Sequence, residues 1–206
     1  MISVSDFIKE FPVVFPAFST QQPWEITSKL WDVLPGVIAS LSEEFIIKDN
    51  IAIHKTATIE EGTTLKGPLV IGANCFIGAH AYLRGGVYLS DSVSIGPGCE
   101  IKSSIIMSHS SSAHFNFIGD SIIGSYVNLE AGAIIANHYN ERKDKAITVR
   151  YEGKVIATNI EKFGALVGDH SKIGANAVLT PGSILPPYSI VKRLELIDQA
   201  SNPHRV

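Results

Sequence analysis

The chain has little that would tie it to a membrane, a nucleic acid or an oxidising compartment. Lys and Arg number 17 against 20 Asp and Glu, for a net charge of −3 over 206 residues. So weak a field draws neither nucleic acid nor anionic lipid. No run of roughly 18 apolar residues occurs, so no membrane-spanning helix is expected. From Met1 to Ser19 there is no basic start followed by a clean apolar run. No signal peptide is therefore expected, and the expected compartment is the cytoplasm. Cysteine is scarce, with 2 in the chain, so a disulfide framework is excluded.

What the chain has is a period. Every sixth residue from Ile53 to Met107 is apolar: Ile53, Ile59, Leu65, Ile71, Ile77, Leu83, Leu89, Ile95, Ile101 and Met107. A helix of 3.6 residues per turn cannot hold such a stripe on one face, and a lone strand alternates every second residue. A parallel β-helix can, with each six-residue unit a short strand plus a turn. Three units close a coil, so Ile53, Ile71, Leu89 and Met107 are expected to stack on one face. Two places before each anchor the residue is mostly small or β-branched, as at Ala57, Cys75, Ala81, Val93 and Cys99. Anchor and small residue fill a narrow triangular prism, and Cys75 and Cys99 read as buried thiols. Gly72, Gly78 and Gly96 follow anchors, where a tight corner is expected to need positive φ.

Residues 1–46 lack the period. Ser3 or Ser5 can cap a short helix through Phe11, ended by Pro12. Pro23 suits the first turn of a second helix to about Leu34, with Trp24, Thr27, Leu30, Trp31 and Leu34 on one face and the two tryptophans as packing anchors. Pro35-Gly36 is expected to break it, with a third short helix through Phe45. This segment is expected to cap the open end of the first coil, which would otherwise present unpaired strand edges. The β-helix is expected over 47–191, in roughly seven coils. Its period fails in the polar run Ser108–Ala113, so a loop is expected to leave the prism near 108–116. The period resumes at Phe117, Ile123, Leu129 and Ile135. A second loop is expected over 137–164, with a hairpin formed by Ala146–Tyr151 and Lys154–Ala157 about a Glu152-Gly153 turn. The series returns at Val167, Ile173, Leu179, Leu185 and Val191, and 192–206 is a tail, expected to be helical around Leu194–Gln199.

Loops on a rigid scaffold carry function. His114 ends the first expected loop. Arg84 and Lys102 directly follow anchors, where long cations must point outward at comparable depth on neighbouring coils. Two outward cations near a histidine suit an anionic substrate such as a sugar phosphate.

The segment Ala113-His-Phe-Asn-Phe-Ile-Gly-Asp120, continuing to Asn128-Leu-Glu-Ala-Gly132 and Ala136-Asn137, resembles the acetyltransferase domain of the bifunctional glucosamine-1-phosphate acetyltransferase / N-acetylglucosamine-1-phosphate uridyltransferases. Their pattern is His-x-x-Tyr-x-Gly-Asp, Asn-x-Gly-Ala-Gly, then Asn. Lys162–Asp169 and the hairpin look more like archaeal and stand-alone bacterial members. The resemblance covers about 45–195 and implies a left-handed β-helix, a homotrimer with the site between prisms, and acetyl-CoA as co-substrate with no metal. It places phosphate binding on Arg84 and Lys102 and the general base on His114. Substrate contacts fall on Phe117, Asn128, Asn137 and the loop lysine Lys143, and acetyl-CoA backbone contacts near Ala131 and Ala175. The implied reaction is N-acetylation of glucosamine 1-phosphate or galactosamine 1-phosphate, feeding UDP-N-acetylhexosamine synthesis. A separate uridyltransferase would be a partner, since the chain has no phosphate loop of its own.

Two residues depart from the pattern. Phe117 lacks the hydroxyl of the family's tyrosine, and Glu130 replaces the first glycine of Gly-Ala-Gly, near the expected acetyl-CoA path. They motivate an alternative, a non-catalytic β-helix that binds a sugar nucleotide or a partner enzyme. A further alternative is a zinc enzyme like the γ-class carbonic anhydrases, from the five-residue spacing of His109 and His114.

Overall fold

The structure, a computed structural model, describes residues 1–18 and 20–199. Short parallel strands wind into a left-handed β-helix with three faces. Its first face stacks Ile53, Ile71, Leu89, Ile106, Ile123, Val167 and Leu185 in register. The second stacks Ile59, Ile77, Ile95, Ser112, Leu129, Ile173 and Val191. On the third, Leu65, Leu83, Ile101, Ile118, Ile135, Leu179 and Ile197 follow one another. These anchors point into the prism, where Cys75, Ala81, Val93, Cys99, Val127, Ala133 and Ala177 fill the gaps between them. Burial pushes the Cys75 thiol up to about 11, which leaves it an inert packing group.

The register explains the apparent failure of the period. Ser108–Ala113 does not leave the prism: Ser111–Ser112 is a strand between Ser94–Ile95 and Asn128–Leu129. Ser112 occupies an anchor site, and its hydroxyl accepts from the Asn116 amide at 2.8 Å. Ser110 Oγ donates to the Gly124 carbonyl at 2.6 Å and accepts from the Val127 N–H at 2.9 Å. Serine is tolerated inside because its hydroxyl is satisfied there. Ile106 pairs with Leu89, so Ile106, not Met107, is the anchor. Ile118 pairs with Ile101, so the anchor is Ile118, and Phe117 points outward. The missing residues are lost at the corner between the third and first faces. Gly85-Gly86 turns it on one coil, both at positive φ, and on the next Arg84 pairs with Lys102 but Val87 with Ser104, leaving Ser103 alone to turn it at φ 46°. Asp120, also at φ 46°, repeats the tight turn.

Gly72, Gly78 and Gly96 are not at positive φ; that conformation falls two residues later, at Asn74, His80 and Gly98. The glycines are needed for space. A Cβ at Gly72 would lie 2.8 Å from the Ser90 carbonyl carbon, and one at Gly96 would run into the Ala113 carbonyl.

The N-terminal segment lies along the prism, not over its open end. A 3-10 turn, Val4–Asp6, and a short helix, Phe11–Val14, lead to the helix Pro23–Ala39, and Pro12 starts the second of these rather than ending the first. The long helix opens with a capping box in which the Gln22 N–H donates to Glu25 at 2.9 Å. It runs through Pro35-Gly36 because Leu30, Leu34 and Ile38 keep one buried stripe across the proline. That stripe, with Ile2, Phe7, Ile8 and Phe11, packs on the outward side chains of the first face: Ala52, Val70, Ile105, Ile122, Leu166 and Ile184. Trp24 is buried edge-on against Phe163 at 5.9 Å, whereas Trp31 is 58% exposed and is no packing anchor. Phe45–Lys48 is a strand, not a third helix, and pairs antiparallel with Ile51–His54 at the open edge.

The insertion 137–164 leaves at the third–first corner and carries the hairpin Thr148–Tyr151 with Lys154–Ala157. It folds back beside the N-terminal segment, where Ile147, Val149 and Phe163 join the same cluster. At the far end Leu196–Ile197 pairs with Val178–Leu179, so the coil continues where a helical tail was expected. The rest of that tail, 200–206, lies outside the described residues. No helix among the described residues is long and apolar enough to cross a membrane.

Candidate functional site

Arg84 and Lys102 pair across adjacent strands at the edge of the third face. Arg84 donates from Nε and Nη2 to Glu100 Oε1 at 2.8 and 2.6 Å and lies 5.6 Å from the Tyr82 ring centre. Lys102 donates to Asp120 Oδ2 at 2.6 Å and to the Ser103 hydroxyl at 3.4 Å. The Asn137 amide donates to the same Asp120 oxygen, and His138 Nδ1 lies 3.2 Å from the Asn137 side-chain oxygen. Lys102 and Asp120 are 16% and 8% exposed, so water screens this pair far less than a surface one. The Phe117 ring borders the cluster: a Cβ on Gly119 would sit 2.8 Å from that ring and 2.9 Å from Asn137.

The strand pairing dictates this gathering. Gly119 pairs with Lys102 and Ile118 with Ile135, so Asp120 falls one place past the partner of Lys102 and Asn137 lies over Asp120, just where the insertion departs. Asp120 stands in the quoted Gly-Asp motif, and neither it nor Glu100 carries a sequence signal for its cation.

His114 stands at the other edge of the same face. It is exposed in the turn between Ser111–Ser112 and Phe117–Gly119, with its carbonyl accepting from the Gly132 N–H at 2.8 Å. Five residues separate it from Gly119, which pairs with Lys102, so the two edges are at most about 17 Å apart. Ala131 and Ala175 stack at the His114 corner, because Ser112, Leu129 and Ile173 are aligned anchors. Asn128 is not with them: it is exposed on the second face and accepts from the Ser111 hydroxyl at 2.6 Å. Lys143 is exposed in the insertion. A single chain therefore assembles Arg84, Lys102, Phe117 and Asn137 at one edge, His114 with Ala131 and Ala175 at the other, and holds Asn128 on a different face.

Glu130 has a specific place. Its carboxylate accepts from Arg193 Nε and Nη2 at 2.8 and 2.7 Å and from the Ala175 N–H at 2.9 Å. The Arg193 hydrogen bonds, then the Ala175 amide, hold it below the usual carboxylate range. A cleft of about 450 Å³ beside it is lined by Asn128, Glu130, Lys172, Ile190, Lys192 and Arg193. Three cations thus stand beside one carboxylate, and the Ala175 amide is already engaged. His109 and His114 bracket a second-face strand and so lie on different corners. His109 stacks on Tyr126 at 4.8 Å, so one chain does not bring His109 and His114 together.

Comparison with known proteins agrees with this architecture. The model for bacterial transferase hexapeptide (six repeats) matches residues 68–103. The bifunctional sugar-1-phosphate nucleotidylyltransferase/acetyltransferase of Sulfurisphaera tokodaii is 33% identical over 173 residues, covering 82% of this chain and 43% of that protein. The bifunctional protein GlmU of Methanococcus maripaludis is 35% identical over 182 residues, covering 85% and 43%. The chain carries hexapeptide repeats of that family and is homologous to the acetyltransferase region of these bifunctional proteins. It spans less than half the length of either relative. An uncharacterized acetyltransferase, YaiX, of Escherichia coli is 32% identical over 150 residues, covering 71% of this chain and 64% of that protein.

Proposed function

We propose that this hexapeptide-repeat protein is an acyltransferase that moves an acetyl group from acetyl-CoA to the amine of an amino-sugar 1-phosphate, glucosamine or galactosamine, on the way to a UDP-N-acetylhexosamine. The observation that carries the reading is the third face, where Arg84 and Lys102 line one edge and an exposed histidine lines the other.

In this reading Arg84 and Lys102 exchange part of their contacts with Glu100 and Asp120 for the sugar phosphate, and Asn137 and Phe117 border the ring. Arg84 has guanidinium N–H groups beyond the two that Glu100 occupies. His114 takes a proton from the ammonium of the sugar, the general-base role that histidine fills most often. The freed amine attacks the thioester carbonyl, an amide forms, and CoA leaves as the thiol. Backbone N–H groups near Ala131 and Ala175 are the donors for the oxyanion. Asn128, outward on the second face, is available to a neighbouring copy, which fits a homotrimer with the site between prisms. The first face is already covered by the N-terminal segment, leaving the second and third faces for assembly.

A second reading, ligand binding without turnover, is favoured by the Glu130 carboxylate on the Ala175 amide. Thiol release separates the two. Protein is mixed with acetyl-CoA and either glucosamine 1-phosphate or galactosamine 1-phosphate, and free CoA is followed. Sugar-dependent release supports the transferase; acetyl-CoA binding with no release for either sugar leaves the binding reading in its place.

A further inference from the structure

Glu130 lies one place past the anchor Leu129, where its carboxylate reaches the backbone N–H two places past the anchor of the next coil. Glu60 does the same on an earlier coil, accepting from the Ala79 N–H at 2.7 Å. A carboxylate on that amide is thus a recurring way to satisfy the corner. Arg193 is the addition at Glu130: its two-pronged bond reaches across 63 residues of sequence to tie two coils together over the amide of Ala175.

The tie is made to be exchanged. Arg193 is 72% exposed, so water competes for both charges and holding them together gains little. The adjoining cleft sets Lys172, Lys192 and Arg193 against the single carboxylate of Glu130. A phosphate entering it meets three cations and offers Arg193 a bidentate partner as good as the carboxylate. Its charge also repels Glu130 at the moment Arg193 turns away. Both effects drive the carboxylate off the Ala175 amide.

We propose that Glu130 and Arg193 form a latch opened by phosphate: the phosphates of the acyl carrier draw Arg193 away, Glu130 swings out, and the Ala175 N–H becomes free to bind the carrier's thioester carbonyl. The latch rests on the acyltransferase reading and adds a selection to it, because a thioester without phosphates meets a closed corner.

The first test needs no turnover. Hydrogen exchange at the Ala175 amide is followed by NMR with inorganic pyrophosphate as probe. Exchange in the wild type should rise at least about fivefold on adding pyrophosphate. In Glu130→Ala it should be fast with or without it, and in Arg193→Ala pyrophosphate should change it little. A wild-type rate that pyrophosphate leaves unchanged overturns the latch. Calorimetric binding of acetyl-CoA and of S-acetylpantetheine, a thioester without phosphates, is the second test. Arg193→Ala should weaken acetyl-CoA about tenfold and leave S-acetylpantetheine unaffected, while Glu130→Ala tightens S-acetylpantetheine. Acetyl-CoA that binds wild type and Arg193→Ala alike overturns the latch and leaves acyl transfer standing. No acetyl-CoA binding by wild type or Glu130→Ala overturns the acyl-carrier reading together with the latch.

Discussion

Two corners of one prism follow opposite rules. At the corner between the first and second faces, coil after coil places one residue at positive φ, from Asn74 and Ser92 to His109, Tyr126, His170 and Tyr188. Their side chains stand above one another, and the last four rings stack at 4.8, 5.0 and 4.9 Å. At the corner between the third and first faces the turn changes along the prism: Gly85-Gly86 gives way to the single residues Ser103 and Asp120, and then to the insertion. A constant number of residues per corner aligns like with like, and the result is a ladder that ties coils together. A varying number puts a different turn on each coil, and here the chain also leaves for the insertion. Just before this corner the aligned anchors set Asn137 over Asp120, and Asp120 one place past Gly119, the partner of Lys102, with Arg84 on the strand before. The charged edge of the third face borders the irregular corner, and the comparison predicts that damage to the two regions separates into function and stability.

The largest separation is expected for His114→Ala, at the far edge of that face. General-base catalysis contributes roughly 10²–10⁴-fold, so thiol release should fall by about that factor with the unfolding temperature unchanged. Wild-type rates in this variant would remove His114 from the chemistry. Asp120→Ala should damage both properties. It strips Lys102, 16% exposed, and the Asn137 amide of a shared acceptor, and an uncompensated buried charge of this kind costs about 3 kcal/mol. Urea unfolding should register that loss, and an unchanged midpoint would mean that water replaces the carboxylate freely. At the regular corner, Tyr126→Ala removes the ring between His109 and His170. Each stacked contact is worth about 0.5–1.5 kcal/mol, so a loss of about 1–2 kcal/mol is expected, seen as a few degrees in Tm, with turnover intact. Lost turnover would show that the ladder serves the site.

The same contrast decides what could be read from the chain. Where the interval is constant, anchors announce themselves, and Ile53 to Ile101 fall where the six-residue rule puts them. Where it shortens, sequence misleads in definite ways. Ser112 is an anchor disguised by its hydroxyl, which hydrogen bonding with Asn116 makes acceptable inside. Phe117 and Ile118 are adjacent and both apolar, so only strand pairing tells which one turns inward. Pro35 looks like a helix end because the burial of Leu34 and Ile38 against the first face is invisible in a local pattern. Arg84 and Lys102 were legible as a pair because the interval holds between them. The contacts of Asn137 and Arg193 were not, since one spans a shortened coil and the other the insertion, and Asp120, although 18 residues after Lys102, was hidden among polar corner residues.

The smallest and sharpest effect is expected at Phe117, because the misread register changes its meaning. A phenylalanine serving as an anchor would be part of the core, and a hydroxyl added to it would be buried without a partner, at a cost of about 1–3 kcal/mol in stability. Phe117 instead points out of the third face, half-buried, with its ring against Gly119 and Asn137 and between the Lys102 edge and the His114 edge. A hydroxyl there enters the space proposed for the sugar. Phe117→Tyr should therefore keep its stability and add one hydrogen bond to substrate, typically about 0.5–1.5 kcal/mol, lowering KM for the amino-sugar phosphate by roughly 2- to 10-fold with little change in kcat. Steady-state kinetics on the two variants side by side, Phe117→Tyr and Tyr126→Ala, then sets an added hydroxyl on the irregular face against a lost ring on the regular corner. A KM that stays constant or rises in Phe117→Tyr removes this residue from the substrate site and leaves the sugar to be held from the Arg84 and Lys102 edge alone.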